Sequence, residues 1–222
     1  GEISLAHNGI LFLDEFTEFR RESIEALRQP LEHNNVSISR VQQSITFPAS
    51  FLLVAALNPC PCGYLGDKTR TCHCSKMQIN KYLGKISGPL LDRIDLQVPI
   101  NALPFQELQL DAQDPISTTS LYEGVLKARE IQKERFKQNT KYNNALQSHE
   151  IEKFCIPTSQ GQKLLKKIFE RLNLSMRGYH KIIKIARTIA DIHQDEQIDT
   201  PHIQEAALYR SLDQHIEMQK NI

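Results

Sequence analysis

Two carboxylates directly follow a short apolar segment near the start of the chain. Residues 10–13 read ILFL, and Asp14 and Glu15 come next. Such a run is typical of a buried parallel strand, whose C-terminal end opens onto the crevice where α/β proteins bind ligands. Adjacent side chains on an extended backbone point in different directions, so one carboxylate could hold Mg²⁺ while the other positions an attacking water. Phosphoryl transfer uses this division of labour, and the alternative is a strand end followed by acidic residues that favour a helix start.

An amide and two arginines stand at further points where chemistry could occur. Asn58 follows the apolar residues 51–57, a second predicted strand, and could orient the same water or simply form a turn. Arg93 precedes a third predicted strand over residues 94–100, and could be an arginine finger for a neighbouring subunit or a surface ion-pair partner. Arg177 begins an isoleucine-rich helical stretch with a lysine one turn later, which is typical of a solvated basic face.

Four of the five cysteines are crowded into one short loop. They occur as Cys60-Pro-Cys62 and Cys72-His-Cys74, whereas Cys155 stands alone. The first residues carry no basic region followed by an apolar core, so they do not resemble a signal peptide, and the clustering favours a metal site over a disulfide scaffold. Thiolates in two close pairs suit tetrahedral Zn²⁺ in a structural site. The CxC spacing is tighter than the usual CxxC, and the alternative is a loop of four reduced cysteines.

Composition sets broad limits on what the chain can be. It has 222 residues, 40% of them hydrophobic and 24% charged, which is typical of a globular protein with one large or two small domains. The net charge of +1 excludes a global electrostatic attraction to nucleic acid, so any basic site must be local. No apolar run is long enough to predict a transmembrane helix, so we expect a cytoplasmic protein without membrane contact.

The order of the predicted elements gives an α/β part followed by an all-helical part. Alternating apolar residues over 36–47 predict a β-hairpin, and the stretch 76–85 predicts a helix. Turn-rich, acidic residues 101–118 predict a linker between a core over 1–100 and a helical domain over 119–222. In the helical domain, periodicity predicts helices over residues 121–138, 159–172, 179–190 and 200–218.

Taken in this order, the motifs resemble those of AAA+ ATPases, and most closely the ComM/YifB group of magnesium-chelatase-like ATPases. The resemblance is carried by GEISLAHNGILFLDEF, a hairpin containing ISR, FPASFLLVAALNPCPCGY, GPLLDRIDL and LSMRGYHKIIKIARTIAD. It covers most of residues 1–100 and returns at about 174–210. It implies a partial P-loop NTPase sandwich of parallel strands and helices with a β-hairpin, followed by a helical lid.

The same resemblance implies a role for each candidate residue. Asp14 would be the Walker B ligand of Mg²⁺, and Glu15 would be the catalytic base that activates water. Asn58 would be sensor 1, Arg93 the arginine finger and Arg177 sensor 2. The resemblance also implies a homo-hexameric ring with ATP bound between subunits.

One expected motif is missing from the 222 residues. A phosphate-cradling loop of the form GxxxxGK[ST] would be needed for ATP binding, and the Gly84-Lys85 pair does not fit it because Ile79 and Ile86 occupy the flanking positions. In the family this loop lies upstream of the first residue. We therefore expect this chain by itself to bind ATP very weakly, to hydrolyse none and not to form a stable hexamer.

The hairpin suggests what a ring of such chains would act on. Arg40 lies near its tip, and six such arginines around a pore could bind the phosphate backbone of single-stranded or branched DNA. The alternative is that Arg40 is a solvated side chain of the hairpin without a ligand. The resemblance favours a DNA helicase or branch-migration motor in natural transformation. Two other functions stay open: a magnesium-chelatase-type motor subunit that drives metal insertion or protein remodelling, and a non-catalytic interaction module stapled by zinc.

Overall fold

The chain divides into two compact units, Gly1–Ile94 and Asp95–Ile222. The computed structural model describes residues 1–40, 43–67, 69–100 and 117–210, with the backbone alone for Arg40 and Gln43. The predicted linker over 101–118 and the end of the last predicted helix, beyond residue 210, therefore lie almost wholly outside the described residues. None of the described helices combines the length and the apolar character needed to cross a membrane.

The first unit is built from strands and short helices. Its parallel strands are the two apolar segments that the sequence predicts, and they pair in register from Ile10 opposite Leu52 to Leu13 opposite Ala55. Their predicted burial is wrong for one face of the pair, where Ile10 is 64% and Phe12 60% exposed. The elements of this unit are α1 (Glu2–Leu5), β1 (Ile10–Leu13), α2 (Arg21–Ala26), α3 (Arg28–His33), β2 (Asn35–Arg40), β3 (Gln43–Pro48), β4 (Leu52–Ala55), α4 (Lys76–Leu83) and α5 (Gly88–Leu91).

The predicted hairpin is present as an antiparallel pair, β2 and β3. Its register runs from Asn35 opposite Pro48 to Arg40 opposite Gln43, which places Arg40 at the end of the ladder. The hydroxyl oxygens of Ser37 and Thr46 lie 3.0 Å apart across the two strands. Residues 41 and 42 lie outside the described residues.

The third predicted strand, over residues 94–100, is wrong. This segment forms only an isolated bridge between Gln97 and Arg210, in which the Gln97 N–H donates to the Tyr209 carbonyl at 2.8 Å. Alternating apolar residues make a strand only when a neighbouring strand pairs with them. Among the described residues this segment has no such ladder, and Val98 and Ile100 are 62% and 91% exposed.

Helices α2 and α3 are separated at Leu27 because of a proline in the first turn of α3. Pro30 has no N–H to donate to the carbonyl four residues earlier, at Ala26, so the helix restarts after one residue. The restart directs α3 toward the hairpin and leaves Glu32 near its C-terminal end.

The second unit is helical, as predicted. Its helices are α6 (Thr118–Phe136), α7 (Ser148–Phe154), α8 (Ser159–Arg171), α9 (Met176–His193) and α10 (Thr200–Leu208). The apolar stripe of α9 is buried in the core, where it meets residues from the other helices. The main buried members are Leu165, Ile182, Ile183, Ala186, Ala190, Ile198, Ile203 and Ala206. Serine and threonine caps begin α6, α8 and α9. Helix α10 is capped by Asp199, so Thr200, which the sequence suggests as the cap, is instead the first helical residue.

A buried polar network lies beside this apolar core. The carboxylate of Asp191 is fully buried and forms ion pairs with Arg135 and with Arg187, whose Nε lies 3.0 Å from it. Asn143 donates to the same carboxylate at 2.8 Å. A buried charge needs such partners, so this network fixes α6 and the loop before α7 against α9.

Candidate functional site

The parallel sheet brings the ends of β1 and β4 to one edge. The Ala56 N–H donates to the Leu13 carbonyl at 2.9 Å, and the Phe16 N–H donates back to the Ala56 carbonyl at 2.8 Å, so pairing continues past the strand ends. Asp14 and Glu15 lie within this paired stretch, and Asn58 follows two residues after Ala56. All three candidate side chains are exposed at the edge where open α/β sheets bind ligands.

The backbone at Glu15 has an unusual conformation. Its φ of 47° and ψ of 46° place a non-glycine residue in the left-handed region, which costs about 1–2 kcal/mol. The Glu15 N–H donates to Asp14 Oδ1 at 2.8 Å, and the next residues, Phe16 and Thr17, are buried. Lys85 Nζ also donates to the Thr17 carbonyl at 2.5 Å. The anchored residues Phe16 and Thr17 hold this left-handed turn at Glu15 directly after the strand.

Arg93 lies just after α5 and is not a free surface arginine. Its Nη2 forms an ion pair with Glu32, and its Nη1 donates to the Pro89 carbonyl at 2.5 Å. Only 10% of its side chain is exposed, and Nε is buried without a hydrogen-bond partner among the described residues. Sequence reasoning missed Glu32 because the two residues are 61 positions apart and share no motif.

Arg177 belongs to the second unit and is the second residue of α9. The Ser175 hydroxyl caps this helix by accepting the Gly178 N–H at 3.0 Å, and the Arg177 side chain is exposed. Lys181, one turn later, is 15% exposed and lies 2.6 Å from the Asp95 carboxylate. The interpretation of this pair as a solvated basic face is therefore wrong for Lys181.

The four clustered cysteines converge on one point. Their sulfur atoms all lie within 4.8 Å of one another. Cys60 Sγ is 3.4 Å from that of Cys62 and 3.7 Å from that of Cys72, and the Cys62 and Cys72 sulfurs are 3.6 Å apart. These separations exceed a disulfide bond, and they match the edge of about 3.8 Å expected for sulfurs about 2.3 Å from one zinc ion. The thiol set therefore fits tetrahedral Zn²⁺.

The loop that carries these thiols is fixed at both ends. Cys60 is fully buried against Ile79 and Leu83 of α4, and Leu57 packs on the same cluster. A left-handed turn at Gly63, with a φ of 81°, brings the chain back toward the first cysteine pair. Because Leu57 immediately precedes Asn58, this small core anchors the backbone that leads to the exposed Asn58 side chain.

The local environment shifts the pKa values of Cys62 and Cys74 in opposite directions. The backbone N–H of Tyr64 lowers the pKa of Cys62 to about 6, with further help from the neighbouring thiols. Burial and the hydrogen bond with Cys62 raise the pKa of Cys74 to about 12. Four thiolates this close repel one another, so without a cation some of them keep their protons. A divalent metal would replace those protons.

A second group of possible ligands lies in the helical unit. His193, Asp195 and His202 place ligand atoms within 4.8 Å of one another. However, Nδ1 of His202 accepts the Asp199 N–H at 3.0 Å, so Nε2 carries the ring proton and donates to Asp195 Oδ2 at 3.0 Å. A metal ion needs a nitrogen with a free lone pair, and both nitrogens of this ring are engaged. The group therefore acts as a helix cap and an anchor for the preceding loop.

The fold and the strand-edge site together define a class. The chain has a parallel-stranded α/β part with a hairpin, followed by a helical part, which is the architecture of a partial AAA+ fold. Family models cover nearly all of it: "Magnesium chelatase, subunit ChlI" matches residues 1–108, and "Magnesium chelatase, subunit ChlI C-terminal" matches residues 116–210. The chain belongs to the ComM/YifB-like family of magnesium-chelatase-related proteins.

Individual relatives support this assignment. The chain is 47% identical to "Competence protein ComM" of Haemophilus influenzae and 44% identical to "Uncharacterized protein YifB" of Escherichia coli, in each case over 96% of its length. It spans 41% of the length of both relatives. A more distant relative is "DNA replication licensing factor mcm6" of Dictyostelium discoideum. It is 23% identical over 93% of this chain, and the match covers 23% of the length of mcm6.

Proposed function

We propose that this chain supplies the hydrolytic residues and the helical lid of a ring-forming ATPase. The observation that carries the proposal is the edge of the parallel sheet, where two carboxylates on a strained turn lie beside the strand that leads to Asn58. Asp14 would hold Mg²⁺ on the phosphates of ATP, and Glu15 would accept the proton of the attacking water. Asn58 would orient that water.

The two arginines would act on the phosphates. Arg93 would extend into the site of a neighbouring copy, where a guanidinium neutralises charge that develops in phosphoryl transfer. Arg177, at the N-terminal end of α9, would contact the nucleotide from the helical unit. The proposed core over 1–100 and lid over 119–222 correspond to these two contributions. ATP itself supplies the phosphoryl group, and the cradle for its phosphates is not in these residues.

We further propose that the ring moves DNA in the cytoplasm. The hairpin supports this because its ladder ends at Arg40, so six copies would present a collar of arginines to a phosphate backbone. The similarity to a competence protein supports a role in processing DNA during transformation as a helicase or branch-migration motor. The similarity to a DNA replication licensing factor points to the same class of substrate.

The test is the ATPase activity of the full-length protein with and without single-stranded or branched DNA. Glu15→Gln should lower kcat at least about 100-fold, since it removes the proton acceptor but keeps the shape of the side chain. Arg40→Ala should abolish stimulation by DNA, whereas Arg21→Ala, at the exposed start of α2, should keep it. Full turnover by the Glu15→Gln variant would refute the catalytic assignment. DNA-stimulated ATPase activity that is unchanged in the Arg40→Ala variant would refute the hairpin as the DNA contact.

A magnesium-chelatase-type motor is the second candidate. It is favoured by the descriptions of both family models, which name a magnesium chelatase subunit. Such a motor would use the same strand-edge residues to drive metal insertion or the remodelling of a protein partner. ATPase activity that depends on Glu15 but does not respond to any DNA would favour this candidate.

We also propose that the four-cysteine loop holds structural Zn²⁺. Cys60, Cys62, Cys72 and Cys74 would complete the tetrahedron and leave no position open for a reacting molecule. The metal would staple the loop that follows Asn58 to helix α4, so it would stabilise the first unit and take no part in hydrolysis.

A further inference from the structure

The guanidinium of Arg93 is occupied by its own unit. One terminal nitrogen binds the Glu32 carboxylate at the end of α3, and the other binds the Pro89 carbonyl in α5. The side chains of Arg93 and Glu32 are 10% and 32% exposed. An arginine that stabilises charge on a phosphate presents these same nitrogen atoms, so it cannot do so while Glu32 holds them.

We infer that Glu32 is a positioning residue that keeps Arg93 withdrawn until the phosphates bound by a neighbouring copy compete for it. The inference rests on the proposed function, because it takes Arg93 as the residue that acts on a neighbour's nucleotide. It adds a condition to that role: the arginine becomes available only when a ligand more negative than a carboxylate is close by.

The local structure suits a reversible contact. The Arg93 Nε is buried with no hydrogen-bond partner among the described residues, so the withdrawn position leaves part of the guanidinium unsatisfied. Glu32 remains one-third exposed, so water can solvate its carboxylate when the arginine leaves. An unmet donor raises the free energy of the withdrawn state, and solvation lowers that of the released state. Both effects keep the two states close enough for a phosphate to shift the balance.

When released, Arg93 would contact the phosphates of bound ATP as well as the charge that develops later, so the held state should reduce the apparent affinity for ATP. If only a fraction of the arginines is available, the apparent dissociation constant rises by the inverse of that fraction. Removing the charge of Glu32 should therefore lower the KM for ATP about tenfold without lowering kcat. Replacing a residue with only a structural role would change the melting temperature and would not lower KM while leaving kcat unchanged.

The experiment compares Glu32→Gln with the wild type in the full-length protein, measuring steady-state ATPase kinetics and equilibrium binding of a fluorescent non-hydrolysable ATP analogue. We expect a KM and a dissociation constant about tenfold lower in the variant, and no such shift when Arg93→Ala is also present. Glu22→Gln, an exposed glutamate of α2, is the matched control. Glu32→Asp, which shortens the side chain but keeps its charge, should shift both constants in the same direction and serves if the first variant does not fold.

Each outcome decides the matter. Unchanged KM and binding in a folded Glu32 variant overturn the inference, and so does a loss of kcat, which would mean that Glu32 holds the arginine in its productive position. If Arg93→Ala abolishes hydrolysis while Glu32→Gln has no effect, the proposed role of Arg93 stands and this inference alone fails. If Arg93→Ala keeps full turnover, the proposed role fails and the inference fails with it.

Discussion

Asp191 offers a sharp test of how the helical unit is held together. Its side chain is fully buried, and its two oxygens accept hydrogen bonds from Arg135, Arg187 and Asn143. In Asp191→Asn the shape is kept, but the negative charge disappears and one oxygen becomes an NH₂ group that faces guanidinium donors. The buried Arg187 and the partly exposed Arg135 then lose their counter-charge.

The expected cost follows from the kind of site. Removing one partner of a buried ion pair costs about 3–5 kcal/mol, because the remaining charge is left desolvated and unpaired. Arg187 keeps two carbonyl partners, Glu196 at 2.7 Å and Asp195 at 2.5 Å, so it is not left wholly unsatisfied. We therefore expect the lower end of the range, about 3 kcal/mol, equivalent to a fall in melting temperature of roughly 6–12 °C for a chain of 222 residues.

The assay is urea unfolding of the chain followed by far-UV circular dichroism, which reports mainly on the helical unit. Glu170→Gln is the matched control, since that carboxylate is 63% exposed and lies 3.9 Å from Lys166; its loss should change the free energy of unfolding by less than about 0.5 kcal/mol. Adding Arg135→Gln to Asp191→Asn should cost less than the sum of the two single changes. A loss below about 1 kcal/mol in Asp191→Asn, or strict additivity, would refute the reasoning.

Three further predictions concern the cysteines and the glycines. The purified chain should contain about one zinc ion by elemental analysis. Cys72→Ala should lower this zinc content, whereas Cys155→Ala should not. Equal zinc content in the two variants would exclude the cysteine site. Burial raises the pKa of Cys155 from 9.0 to about 11, so this neutral thiol adds stability below pH 9 that is lost as the pH rises to 11. Urea unfolding of wild type against Cys155→Ala should show their difference falling by about 2–3 kcal/mol across that window, and a constant difference would contradict it. Gly161→Ala should destabilise the chain by about 1–2 kcal/mol, because the added carbon meets Ile203 Cδ1 at 3.0 Å. Gly124→Ala, where the added carbon meets nothing within 4 Å, should be neutral or stabilising. Equal urea unfolding midpoints for the two variants would refute the packing argument.

The elements that the sequence predicted well are those whose signal is local. Each of three segments shows its apolar pattern within its own residues. The run ILFL forms a strand, the alternation over 36–47 forms a hairpin, and the apolar stripe of α9 lies on a helix. The segment 94–100 shows the limit of this reasoning. It has the alternation of a strand, but a strand also needs a partner, and the pattern of one segment carries no information about its neighbour.

The candidate site residues also show this difference between local signals, which the sequence contains, and contacts, which it does not. The sequence by itself determined the class of protein, the carboxylate pair at the end of a strand and the four thiols at a spacing that suits a metal. Only the tertiary structure decided that the sulfurs meet within 4.8 Å, that Glu15 stands on a left-handed turn and that Arg93 is held by Glu32. The physical reason is distance along the chain. Residue types and short spacings fix which chemistry is available, whereas contacts between residues far apart depend on how helices and strands pack.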